Sequence, residues 1–197
     1  MNFVGSHILG VEQFSREDIA RIFDVADSMA PYARRERVTR VLEGALLGNM
    51  FFEPSTRARG SFGCARILLG GEVRESTGIK ASALPKGESF YDTARVLSGY
   101  SDLIVMRHEK SGSVSEFAAA SRVPVINGGD GANEHPSQAL LDLYTISREL
   151  GHQGKIIDGM RIALVGDLRF GRAVHSLCKL LMAYQNIQLT LITPEAL

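Results

Sequence analysis

The sequence predicts an α/β fold: a doubly wound parallel sheet followed by the start of a second α/β unit. Two patterns carry that expectation. Short apolar runs bounded by polar or turn residues recur at 45–52, 102–107, 123–128, 161–167 and 188–194, and each reads as a buried strand. Between them, 56–69, 89–100, 113–121, 135–150 and 171–184 carry apolar residues at helical spacing. Strands alternating with helices pair in parallel through right-handed crossovers, which places helices on both faces of the sheet.

The chain enters through a helix. Ser15 supplies a capping hydroxyl, Glu17 and Asp18 favour the first turn, and Ile19, Ile22, Phe23, Ala26 and Ala30 repeat at helical spacing. The basic run ARRERVTR, 33–40, falls on a helix or a loop. It reads as a solvated face, because no aromatic platform for nucleic acid accompanies it. Two segments then break the alternating rhythm. TGIKASALPKGES, 77–89, is too long and too polar for an ordinary connection, which suggests a functional or interface role. GHQGKIIDG, 151–159, reads as a hinge, so the expected division is 1–150 and 151–197. The second piece, strand then helix then strand, is too small to bury a core alone, so the chain is expected to stop within a domain.

Composition narrows the function classes. Hydrophobic residues are 45% and charged residues 22% of the 197, as in ordinary globular enzymes. Lys plus Arg and Asp plus Glu are equal at 22 each, so no global field draws the chain to nucleic acid or an anionic membrane, and any anion binding must be local. Cys64 and Cys178 lie in helical apolar patterns and read as reduced core residues. No stretch approaches the roughly 20 apolar residues of a membrane span, and the amino end lacks a signal-peptide pattern, so a cytoplasmic protein is expected.

The chemistry should lie beyond the carboxyl ends of the strands, where open α/β sheets bind ligands. After the run ending at 52, Ser55, Thr56 and Arg57 fall at the start of a helix, whose free N–H groups and positive dipole end favour an anion. The alternative is local: Ser55 as a cap, with Arg57 and Arg59 as solvated charges. Arg107 and His108 end the next strand, and His135 and Gln138 open a later helix. Polar donors thus gather at three strand ends. His108 reads as support for Arg107, His7 and His152 as surface residues, and His175 as a packing or hinge contact. Asp130 and Glu134 read as shaping their loop.

Five segments, FFEPSTRARGSF, LPKGESFYDT, DLIVMRH, GDGANEHPSQALLDLYTI and VGDLRFGRAVHSL, occur in this order along the chain. Together they resemble the catalytic chains of the aspartate branch of the aspartate/ornithine carbamoyltransferase superfamily. That resemblance implies transfer of the carbamoyl group of carbamoyl phosphate to the amine of L-aspartate, in de novo pyrimidine biosynthesis. It implies that Ser55, Thr56, Arg57 and Arg107 hold the phosphate. Thr56, Arg107 and His135 would point at the carbamoyl oxygen, and Gln138 at its amide. Ser82 and Lys86 would reach into a neighbour's site within a homotrimer, Lys86 also serving aspartate. Arg172 would take an aspartate carboxylate, and Glu53 would pair with Arg172. No cofactor or metal is implied, since Arg and Lys neutralise the leaving phosphate. A regulatory chain or a dihydroorotase partner is left open.

Two positions depart from the family pattern. Ala58 stands where a threonine is usual and Gly60 where a larger apolar residue is usual. Family chains also continue into more of a second domain, so low activity is expected of this chain alone. Two competing readings follow: a non-catalytic assembly partner, or a transcarbamoylase acting on another amine. A nucleotide-binding dehydrogenase is weaker, because VGDLRFGR lacks the G-x-G-x-x-G spacing.

Overall fold

The computed structural model of the chain describes residues 1–77 and 87–195. Four parallel strands, β1 (Leu46–Phe51), β2 (Glu72–Thr77), β3 (Leu103–His108) and β4 (Val125–Asp130), form a sheet in the order β2-β1-β3-β4. The helices are α1 (Arg16–Ala33), α2 (Thr56–Leu68), α3 (Phe90–Leu97), α4 (Ser113–Ala120), α5 (Pro136–His152) and α6 (Arg172–Leu181). Two further parallel strands, β5 (Arg161–Val165) and β6 (Gln188–Ile192), pair with each other on either side of α6 in sequence.

The alternation of residues along the strands builds the double winding. Met50, Ile104 and Met106 turn to one face and pack on Ala94 of α3 and Val114 and Phe117 of α4. Leu47, Phe51 and Val105 turn to the other, against Ala58 and Phe62 of α2. Both faces are therefore covered, as a buried parallel sheet requires. The order also creates a switch point between β1 and β3, where the chain reverses its direction of travel across the sheet and leaves a crevice at the strands' carboxyl ends.

The sequence reading omits β2. Its residues, EVREST, contain a single large apolar side chain, Val73. As an edge strand paired only with β1, it is not obliged to carry an apolar pattern. The expected 77–89 segment starts where β2 ends, and Ser82 and Lys86 lie outside the described residues.

Other expectations change as well. α1 ends at Ala33, so the basic run is an exposed loop. Cys64 is exposed on the outer side of α2; Cys178 is half-buried, which pushes its thiol pKa up. β6 is exposed along its whole length and β5 along most of it, rather than buried. α6 packs toward α5, and Leu191, Ile192 and Val165 remain open. His7 is not a bland surface residue: its Nδ1 accepts the Val125 N–H at 3.0 Å, beside the Ile8–Ile126 bridge that ties the amino end to β4.

A third apolar cluster joins Ile19 of α1, Leu143 of α5 and Leu177, Leu180 and Leu181 of α6 with Ile157 and Met160. It crosses the expected hinge, so α6 is packed on the first sheet's helices. Leu143 is 0% exposed. Leu143→Ala should therefore cost about 2–5 kcal/mol. Urea unfolding followed by circular dichroism checks this; a loss below about 1 kcal/mol would mean the cluster is loosely packed.

Candidate active site

The cleft forms where three helices begin. Ser55 precedes α2, His135 precedes α5 and Gly171 precedes α6, and at none of the three does a side chain cap the helix. None has an acidic residue in its first turn. By contrast α1 and α3 carry a capping serine and first-turn acids. Each unsatisfied amino end presents N–H groups and a partial positive charge. Ser55, Thr56, Arg57, Arg107, His135, Gln138 and Arg172 all line one cleft of about 1040 Å³. The cap alternative for Ser55 fails, since its hydroxyl makes no cap bond. Arg57 is exposed, with no ion pair among the described residues.

Glu53, just past β1, holds the cleft's other arginines. Arg107 donates from Nε to Oε2 and from Nη2 to Oε1, both at 3.1 Å. Arg172 donates from Nη1 and Nη2 to the same two oxygens, at 3.1 and 3.3 Å. Burial alone would push the Glu53 carboxyl pKa up. Hydrogen bonds from Arg172 and Arg107 override that and hold it below the usual range. The expected Glu53–Arg172 pair is present, and Arg107 is its second partner, which sequence reasoning missed. Arg107 thus faces the cleft with two of its nitrogens engaged.

His135 is 7% exposed. Burial first, then the positive charges of Arg107 and Arg172, lowers its pKa from 6.5 to about 4. The imidazole is neutral at physiological pH and can present one N–H. Ser137 Oγ lies 3.3 Å from its Nδ1, and the His135 main-chain N–H donates to Ser176 Oγ at 3.0 Å. Gly129, at φ +115, supports both neighbours. A methyl there would stand 3.1 Å from Arg172 Nε and 3.4 Å from His135 Cδ2, in a conformation few other residues adopt. Gln138 Nε2 donates to Asp142 Oδ1 at 2.8 Å, one turn along α5. The i, i+4 spacing of Gln138 and Asp142 was the available signal for that pair.

His108 does not support Arg107. It is buried on the opposite sheet face among Phe52 and Phe90, with ring centroids at 5.8 and 5.0 Å, and its Nδ1 accepts the Lys110 N–H at 2.9 Å. Strand alternation sends successive residues to opposite faces. Asp130 shapes its loop as expected, accepting from Gly112 N, Asn127 Nδ2, Asn133 Nδ2 and Glu134 N. Glu134 does so by clasping α6, with Ser176 Oγ at 2.6 Å and Lys179 Nζ at 2.7 Å. The His175 ring spans two carbonyl oxygens, Ala132 O and Leu168 O, at 3.1 and 2.8 Å. It is a contact between the two segments, as its helical position suggested.

An α/β protein whose switch-point crevice gathers three bare helix ends and three arginines is built to grip a small anion. Residues 6–148 match the aspartate/ornithine carbamoyltransferase, carbamoyl-P binding domain, and the chain belongs to that family. It is 72% identical over 197 residues to the aspartate carbamoyltransferase catalytic subunit of Saccharophagus degradans and 69% identical to that of Cellvibrio japonicus. All of this chain is covered in both, against 58% of each relative, so the chain spans little more than half their length. Its structure is similar to aspartate transcarbamoylase from Trypanosoma cruzi in complex with carbamoyl phosphate and aspartate. There the TM-score is 0.89 at 43% identity, covering 98% of this chain and 63% of that one.

Two outcomes test the geometry. The unfolded chain protonates His135 near pH 6.5, whereas the folded chain keeps it neutral down to about 4. Unfolding therefore takes up a proton in this window. His135 should withdraw about 3 kcal/mol of stability as pH falls from about 6.5 to about 4. Urea titrations of parent and His135→Gln across that range check it, and an identical pH slope in both would refute the neutral buried imidazole.

Glu53→Gln leaves Arg107 and Arg172 facing each other without their shared counter-charge. It should cost about 2 kcal/mol or more, short of the roughly 3–5 of a fully buried pair. Thermal unfolding at low and high salt checks it; a neutral change at low salt would show that the two guanidiniums separate freely.

Proposed function

We propose that residues 1–150 are the carbamoyl-phosphate-binding domain and 151–197 the start of the aspartate-binding domain of an aspartate carbamoyltransferase catalytic chain. The observation that carries this reading is the convergence of three uncapped helix ends on one cleft with Arg57, Arg107 and Arg172. Ser55, Thr56, Arg57 and Arg107 hold the phosphate. Thr56, Arg107 and His135 direct donors at the carbamoyl oxygen, Gln138 takes the carbamoyl amide, and Arg172 takes a carboxylate of aspartate. Ser82 and Lys86 complete a neighbouring subunit's site in a homotrimer, Lys86 also meeting aspartate there.

In the reaction, the aspartate amine forms a C–N bond to the carbamoyl carbon, and the carbonyl electrons move onto oxygen. Collapse of that tetrahedral oxyanion breaks the C–O bond to phosphate. The leaving phosphate carries away the electron pair and accepts the amine's proton, giving N-carbamoyl-L-aspartate. Donors fixed in advance around the oxyanion lower this barrier, each contributing about 3 kcal/mol. A neutral His135 suits the donor role, since it can give a hydrogen bond without having to lose its proton. The product belongs to pyrimidine biosynthesis, and a cytoplasmic setting fits that pathway. Aspartate is favoured over other amines by the GDLRFGRAVHS segment, whose Arg172 supplies a carboxylate-binding guanidinium.

Calorimetric titration with N-(phosphonacetyl)-L-aspartate tests the reading. The 197-residue chain should bind it weakly. A chimera completed with the carboxyl-terminal part of the Saccharophagus relative should bind tightly and turn over. Arg57→Ala in that chimera should weaken binding by about 10- to 100-fold, the loss of one or two charged hydrogen bonds. A chimera that folds but neither binds nor turns over would favour the non-catalytic assembly chain.

A further inference from the structure

The basic run 33–40 plays no part in that cleft. Its Arg35, Arg37 and Arg40 line a second concavity of about 610 Å³ beside the amino ends of β1 and β2, at the other end of the sheet. The opposite wall includes Gly70 and Gly71, which join α2 to β2. The one acid lining it is Glu43, whose Oε1 accepts from Arg40 Nη1 at 3.3 Å.

Arg66, in the last turn of α2, is 8% exposed, and its Nε and Nη2 are buried without a hydrogen-bond partner. A guanidinium stays charged at any working pH, and burying it unpaired is strongly unfavourable. The two glycines bring this charge and the basic loop to one wall. A methyl on Gly71 would fall 2.3 Å from Arg66 Nε, and one on Gly70 would fall 2.6 Å from Arg40 Cα. Four arginines against one glutamate make an intense local field in a chain whose formal net charge is +0. The volume is that of a small-molecule site, and no aromatic side chain lines it for stacking nucleic-acid bases.

We propose that this concavity is a second anion site, for a small multiply charged oxyanion bearing phosphate or carboxylate groups. Arg66 is its buried counter-charge, and Arg35 and Arg37 grip the ligand at the mouth. α2 runs between the two sites, with Arg57 in its first turn and Arg66 in its last.

The test uses the 197-residue chain carrying Arg57→Ala, so that the first cleft contributes little. Inorganic pyrophosphate and citrate are titrated separately by calorimetry, and melting temperature is followed in parallel. Saturable one-site binding of at least one probe is expected, and which probe binds tells phosphate from carboxylate chemistry. Arg66→Met and Arg37→Ala should each weaken it at least tenfold. Arg66→Met should melt no lower than its parent without probe, and the probe should no longer raise its melting temperature. If Arg66→Met does not fold, Arg37→Ala on the exposed loop decides alone. Unchanged affinity in the variants, or a response reproduced by sodium chloride at equal ionic strength, overturns the proposal. Concentration-dependent association that Arg66→Met abolishes, without saturable probe binding, overturns it in favour of a second copy's acid.

Discussion

The Glu53 carboxylate, gripped from two sides by Arg107 and Arg172, sets the electrostatics of the first cleft. Three guanidiniums facing one concavity repel one another, and the helix ends add to the same sign. One glutamate between two of them relieves that repulsion while leaving two formal positive charges, which suits a dianion. The fixed arginines also lower the His135 pKa, after burial, which keeps that ring uncharged. Positive surplus, neutral imidazole and rigid arginines therefore share one cause. The guanidiniums are held before any ligand arrives, which spares reorganisation during reaction.

The fold was legible wherever burial imposed a pattern. β1, β3 and β4 are covered on both faces, and their residues form near-continuous apolar runs that any strand criterion finds. β2 was not legible, since an edge strand with Val73 as its anchor asks little of its other residues. β5 and β6 show the converse: their apolar runs look like buried strands, yet within the described residues they are largely open.

Site residues were legible by type and by place in the chain, because helix starts and strand ends can be counted. Their partners were less so. His108 follows Arg107 directly, but alternation along β3 sends the two to opposite faces, so adjacency misled. That Glu53 would meet Arg107 as well as Arg172 depends on where β1 and β3 lie side by side at the switch point, which is a property of topology rather than of spacing. Ala58 removes a hydroxyl from the first turn of α2, but the bare main-chain end remains, and that is the part of an anion site that no side-chain substitution there deletes.

The last consequence concerns the segment carrying α6. It contributes Arg172 to the cleft, Ser176 to the main chain of His135, Lys179 to Glu134, and the His175 ring across Ala132 O and Leu168 O. Those contacts fix the loop from which His135 enters the site. An anion that draws on Arg172 and His135 thus favours the docked position of α6, and docking in turn favours the anion by the same free energy. Cleft and segment interface are two readings of one equilibrium, which accounts for buried polar contacts at a boundary that apolar packing of Leu143 against Leu177 and Leu180 would otherwise serve alone.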